Sequence, residues 1–199
     1  MGETVIRERN LIAVEGKDEK NFTEALLIHL NVKSVQVIDI GGKDNFKNRI
    51  PALTLTRGFD RVVKFGIVRD ADNDSSAALK SIQSALAKAK LSQPKKVSEF
   101  AGGSPLVGIF IMPDYEEKGM LEDLCLKSIQ GSTELNCIED FFKCIKSDEI
   151  RNLSKAKVQA YLSTKPKSVN SLGVGAQNGY WNLDHPCFSH FSDFLRSFA

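Results

Sequence analysis

No run of apolar residues in this sequence approaches the roughly 18 that a membrane-spanning helix needs, so helical insertion in a bilayer is not expected. Cysteine is scarce. Cys125, Cys137, Cys144 and Cys187 include no C-x-x-C pair, which argues against a zinc site or a thioredoxin-like redox motif. No apolar signal-peptide core accompanies the charged N-terminal stretch, and a cytoplasmic protein with reduced thiols is the expectation. There is no internal repeat, no low-complexity segment and no G-x-x-x-x-G-K-[ST] phosphate loop. The stretch GGKDN (41–45) holds Gly and Lys without that spacing. Neither sign of charge dominates, with 27 Lys+Arg against 25 Asp+Glu. Residues 1–100 carry 17 basic and 13 acidic side chains, and residues 101–199 carry 10 and 12. A bias of +4 against −2 is too weak to identify a nucleic-acid binder.

What is present is an ordinary globular balance, 42% hydrophobic and 26% charged over 199 residues, enough for one domain with a substantial core. The first hundred residues alternate two periodicities. Apolar runs at 10–16, 35–42 and 61–70 predict strands, and 17–30, 44–55 and 75–91 predict helices, with Pro51 expected to break or restart the second. A polar loop at 92–105 precedes a fourth strand at 106–114. Helices follow over 118–129, 137–145 and 154–165, then a structured loop over 166–187 and a short last helix over 188–198. This β-α-β-α-β order implies right-handed crossovers, hence a parallel sheet covered by helices. Residues 1–130 are expected to form the α/β core and 131–199 a small, mostly helical extension packed on it.

In such sheets ligands gather beyond the carboxyl ends of the strands. Acids stand at those ends. The strand "FGIVRDADND" (65–74) closes in Asp70, Asp72 and Asp74, "LIAVEG" closes in Glu15, and the fourth strand closes in Asp114. Clustered carboxylates repel one another unless compensated, and Mg²⁺ favours oxygen ligands. On an extended segment Asp70 and Asp72 project to one side; Asp74 falls in the following turn and ranks below them. An EF-hand is excluded, because counting from Asp70 the sixth and twelfth positions hold Ser75 and Ser81. Aspartyl-nucleophile phosphatases also carry Asp-x-Asp after a strand, usually with a Thr or Val where this chain has Asp74. Glu19 stands four residues after Glu15, where it either faces the same crevice or simply favours the start of a helix. Glu122 follows the apolar pair Met120–Leu121 and is placed to turn inward, whereas Asp123 is expected outside. Lys155 and Lys157 lie two apart on one helix, so only one of them can face the acids. Lys17, Lys43, Lys47 and Arg69 lie near strand ends, as backbone-phosphate contacts or as ordinary surface charges. His185 and the pair Tyr180–Trp181 are read as parts of a loop that seals the core.

Three of these stretches, "VEGKDE", the glycine pair of "IDIGG" and "RDAD", resemble the signatures of the Toprim domain. The resemblance spans residues 10 to about 125, more loosely to about 165. Within that superfamily the chain is similar to OLD (overcoming lysogenization defect) nucleases and to small stand-alone Toprim-like proteins, through the Glu-Gly-x-x-Glu of "VEGKDEKNF". The resemblance implies a Rossmann-like α/β fold and divalent-metal chemistry on the phosphodiesters of DNA or RNA, with one or two Mg²⁺ or Mn²⁺ ions. It implies Glu15, Glu19, Asp70, Asp72 and Glu122 as metal ligands, with Asp74 a lesser member. It implies Lys155 or Lys157 as the lysine beside the transition state. Departures are plain. Ser75 stands where topoisomerases and primases have Gly, and the cysteine cluster of Toprim recombination factors is missing. OLD-type nucleases usually carry an ATPase, which here would be a separate partner; a homo-oligomer is also compatible with the pattern. The rival functions are a catalytically silent module that binds nucleic acid or an ATPase, and a phosphatase or phosphotransferase on small substrates.

Overall fold

The computed structural model describes residues 5–113, 118–145 and 149–199. Asp114 lies outside the described residues. A five-stranded sheet forms the centre, in the order β2-β1-β3-β5-β4. Strands β1 (Asn10–Val14), β2 (Val35–Asp39), β3 (Lys64–Asp70) and β5 (Leu106–Met112) are parallel, and β4 (Phe100–Ala101) closes one edge antiparallel to β5. The apolar strands predicted at 10–16, 61–70 and 106–114 are all present, trimmed at their ends, and they occupy the three central positions.

Strand alternation sorts β3 onto two cores. Phe65, Ile67 and Ala71 join one apolar cluster with Leu11, Ala13, Phe46, Ile50 and Ile82. This face is covered by α2 (Phe46–Thr54) and α3 (Ser75–Lys88). Val68 joins the opposite cluster with Ile12, Val14, Phe22 and Phe110. That face carries α1 (Lys17–His29), α4 (Leu121–Ser128), α5 (Thr133–Cys144), α6 (Leu153–Ser163), α7 (Leu172–Gln177) and α8 (Ser189–Arg196). The last helix packs directly on the sheet. The ring of Phe110 lies 5.0 Å from that of Phe191, and Gly66 leaves the space that Phe198 fills, since a Cβ there would stand 2.7 Å from its ring. One apolar cluster therefore draws on both the first 130 residues and the last 69.

Four local expectations change. Pro51 does not break α2, which runs through it from Phe46 to Thr54. The carbonyl four residues before it belongs to the exposed Lys47, so water can take the lost hydrogen bond, and burial of Phe46, Ile50 and Leu53 holds the helix. The loop at 166–187 contains α7, capped by Ser171, whose Oγ accepts from Val174 N. Gly173 lets this short helix lie against α1, because a Cβ would stand 2.4 Å from the Asp18 carbonyl oxygen. Helix α5 begins at Thr133, four residues before the predicted start, on a Ser132 cap that accepts from Leu135 N. The predicted polar loop at 92–105 contributes the two-residue β4. Among the described residues no helix is long and apolar enough to cross a membrane.

Candidate active site

The carboxyl ends of β1, β2 and β3 open side by side. Glu15 follows the last residue of β1, and its carbonyl accepts from Gly42 N at 2.8 Å. This bond ties the exit of β2 to the exit of β1. Gly41 and Gly42 turn there with φ of 84° and 110°, a region that glycine enters without steric cost. Lys43 follows, and its Nζ lies 2.9 Å from Asp72 Oδ2. On the other side of β3, Asp72 N donates to Gly119 O at 2.9 Å and Gly119 N returns a bond to Asp72 O at 2.8 Å. That two-way bridge brings the start of α4 under Asp70. Leu121 N, in its first turn, donates to Asp70 Oδ1 at 3.2 Å. Asp123 holds this start by accepting from Met120 N at 2.8 Å. Its other oxygen accepts from Ser154 Oγ at 2.5 Å, which docks α6 on α4.

The carboxylates converge from three stretches of chain, 15–19, 70–72 and the start of α4. Asp70 is 8% exposed and Glu122 9%. Burial, then the charges of Glu19, Glu15 and Glu122, push the Asp70 carboxyl well above the usual range, against the opposing Leu121 bond. Burial pushes the Glu15 carboxyl up to about 7, helped by Glu19 and Asp72 and opposed by Arg69 and Lys43. Burial also raises Glu19 and Glu122, both of them restrained by Lys155. Two oxygens, Glu15 Oε2 and Glu122 Oε2, are buried without a hydrogen-bond partner. Such groups cost free energy unless something meets them.

The predicted residues thus divide. Glu15, Glu19, Asp70, Asp72 and Glu122 gather at one end of the sheet: Glu19, Glu15 and Glu122 act on the Asp70 charge, and Glu19 and Asp72 act on that of Glu15. The route to Asp72 differs from the expected one: β3 ends at Asp70, and Asp72 turns at φ 53°. It reaches Glu15 from a left-handed turn rather than from an extended strand. Asp74 is placed elsewhere. Its Oδ1 accepts from Ala77 N at 2.9 Å as the N-cap of α3. Of the two lysines, Lys155 stands over the acids, 3.7 Å from Glu122. Lys157 turns away to pair with Glu139 of α5 at 3.5 Å. Trp181 is buried and stacks on Tyr161 at 5.1 Å, and His185 Nδ1 accepts from Cys187 N, both as parts of the sealing loop. Lys17 and Lys47 are exposed. Arg69 is the residue whose setting spacing alone does not reveal: its Nε and Nη1 are buried without partners, and its guanidinium lies 5.7 Å over the Phe46 ring.

The donor set suits a hard divalent cation in kind: carboxylate oxygens, two of them unsatisfied, in a crevice whose acids repel one another. As the side chains stand, among the described residues no three His, Cys, Asp or Glu are drawn together closely enough to hold an ion. Any cation would have to gather them.

Fold and crevice together define an α/β protein with a mostly parallel sheet and a buried acidic site at its strand ends. The chain belongs to the family described as "Protein of unknown function (DUF3226)", whose model matches residues 9–199. Its fold is that of the C-terminal region of the OLD protein of Burkholderia pseudomallei, with a TM-score of 0.55 at 14% identity over 96% of this chain and 98% of that one. The C-terminal region of the Xanthomonas campestris pv. campestris OLD protein is similar too, with a TM-score of 0.50 at 13% identity over 97% of each chain. No curated protein matches the sequence.

Proposed function

We propose that this protein is a Toprim-type, divalent-cation-dependent phosphodiester hydrolase acting on nucleic acid. The observation that carries the reading is the convergence of Glu15, Glu19, Asp70, Asp72 and Glu122 at the ends of the central strands, with the Glu15 and Asp70 carboxyls pushed upward. Likeness of fold to OLD protein C-terminal regions, together with the Glu-Gly-x-x-Glu and Asp-x-Asp stretches, supports it.

Glu15, Asp70 and Asp72 would hold the cation, Mg²⁺ or Mn²⁺, with Glu19 and Glu122 completing the site or a second one. When bound, such an ion lowers the pKa of water and polarises a phosphoryl oxygen. The chain's own groups do the rest. Leu121 N fixes the orientation of the Asp70 carboxyl. Lys155, 62% exposed at its side chain and anchored near Glu122, is positioned to offset negative charge that develops on a phosphate at the mouth. Burial holds the Glu15 carboxyl up at about 7, so a cation held there would favour its ionised form.

Purified protein with Mg²⁺ or Mn²⁺ should nick plasmid or cut RNA, and Asp70→Ala should abolish it; cleavage that survives the substitution overturns the assignment. That no three ligands are closely drawn among the described residues favours a second reading, a catalytically silent module that binds nucleic acid or a partner ATPase. No cleavage by the wild-type protein, alone or with such an ATPase, selects that reading.

A further inference from the structure

We infer that the crevice has a second, cationic wall, formed by Arg69 and Lys43 on the α2 side, that binds the backbone phosphate of a nucleic-acid strand. This inference rests on the phosphodiester reading above and adds a named subsite to it.

Successive residues of β3 point to opposite faces. Asp70 enters the α4 side, where Leu121 N meets it. Arg69 enters the α2 side, where Phe46 underlies its guanidinium. Its Nε and Nη1 are buried and, among the described residues, donate to nothing, while the residue as a whole is part-buried. A guanidinium is always charged and offers a planar fork of five N–H donors. Leaving two of its nitrogens desolvated and unmatched is costly. Glu15 is near enough to feel its charge, yet no hydrogen bond joins them, and Glu15 Oε2 is itself orphaned. The two groups lie close without forming a pair. The structural role of Arg69 is therefore slight where its chemical capacity is large.

Lys43 approaches Glu15 as well, from the exit of β2. Gly41 and Gly42 turn the chain so that Lys43 follows directly on the bond from Gly42 N to Glu15 O. Its ammonium rests on Asp72 at 2.9 Å, in a pair whose side chains are 47% and 30% exposed. An exposed pair of this kind is weak, so the Lys43 ammonium can exchange the Asp72 carboxylate for a phosphate. A fixed fork and a movable ammonium suit a phosphate: arginine binds its oxygens in pairs, and lysine acts as a point charge. The adjoining acids repel a phosphate dianion more strongly than a phosphodiester, which carries one charge. A strand of nucleic acid is therefore the chosen ligand class over a small phosphate ester.

The test uses a fluorescently labelled single-stranded DNA 12-mer, followed by anisotropy without added metal, so that binding is read apart from cleavage. Arg69→Gln should weaken binding about tenfold or more and flatten the dependence of log K on log salt by ~0.7, the loss of about one phosphate contact. Lys43→Gln should act in the same direction, and Arg69→Lys should recover part of the loss. A 12-mer with uncharged methylphosphonate linkages should bind wild type and Arg69→Gln equally. Unchanged affinity and salt slope in both Arg69→Gln and Lys43→Gln would falsify the wall. Arg69-dependent binding of inorganic phosphate but not of the 12-mer overturns the choice of ligand. If plasmid and RNA remain uncut while Arg69-dependent binding persists, the hydrolase reading fails and the wall stands.

Discussion

Two neighbours on one strand, Arg69 and Asp70, meet opposite fates. Both lie at the end of β3; Asp70 is buried and burial penalises its charge, whereas Arg69 is part-buried, with its Nε and Nη1 shielded from water. Asp70 is surrounded by its own kind, so its difficulty is repulsion, answered in part by the Leu121 N–H. Arg69 lies over an aromatic ring, and among the described residues its Nε and Nη1 meet no acceptor, so its difficulty is want of a partner. The lesson is that a strand end in a parallel sheet sorts opposite charges to opposite faces by alternation alone. Glu15, emerging from the adjacent strand, feels both walls.

The sharpest way to break this comparison is to neutralise each wall in turn. Asp70→Asn keeps an oxygen for Leu121 N and removes the charge. It should lower the metal-dependent cleavage rate about 10³-fold or more, as expected when an interaction needed in the transition state is lost, while leaving metal-free binding of a DNA strand intact or tighter. Arg69→Gln should instead act chiefly on KM. Equal losses of kcat in the two variants, measured by steady-state kinetics, would show that the walls do not have separate tasks.

The acid wall also makes a thermodynamic prediction. Glu15 has a folded pKa raised from 4.5 to about 7, so between those values the folded state binds more protons than the unfolded one. Stability without metal should therefore be greatest below about pH 4.5 as far as this group is concerned, and should fall as pH rises toward 7. Asp70, raised for the same reasons, acts in the same direction. Mg²⁺ or Mn²⁺ should reverse the loss at neutral pH. At a hundred times Kd the gain is ~2.7 kcal/mol, visible as a higher Tm by calorimetry. Asp70→Asn should reduce the pH-dependent loss and the response to metal together. A metal-free Tm that rises from pH 5 to pH 7, with no response to either ion, would remove the electrostatic basis of the site.

A smaller effect separates the two lysines. Lys155→Ala should reduce cleavage about tenfold, ~1.4 kcal/mol of barrier, because Lys155 stands over Glu122 and restrains both Glu122 and Glu19. Lys157→Ala should stay within about twofold, since that ammonium pairs with Glu139 between α5 and α6. A reversed order in kcat would place the wrong face of α6 at the crevice.

Much of this arrangement was legible in the residues. The three central strands are continuous apolar runs, and an acid that closes such a run, as Glu15 and Asp70 do, has few reasons to be there other than a site. The rest depended on how distant segments meet. The phase of α6, which turns Lys155 inward, is set by Asp123 and Ser154 across 31 residues. The left-handed turn at Asp72 is held by Gly119, far along the chain. Helix α7 is six residues long with two glycines, too short and too weak in propensity to show a period, and its fit against Asp18 appears only once both helices are in place. Arg69 reads as an ordinary charge because nothing in its neighbourhood along the chain reports that Phe46 will lie beneath it.

Asp74 tests the smallest part of the comparison. It completes the spacing Asp70, Asp72, Asp74, yet it caps α3 through Ala77 N instead of joining the acids. Asp74→Ala should cost about 1 kcal/mol of stability, the usual loss for an N-cap, and leave the metal response and cleavage unchanged. Asp74→Ser, which restores an acceptor, should regain most of that stability. The pairing of outcomes matters because repulsion and capping predict opposite signs. If Asp74 belonged to the acid wall, removing its charge would relieve the crowded carboxylates and raise the metal-free Tm; as a cap, its removal lowers the Tm.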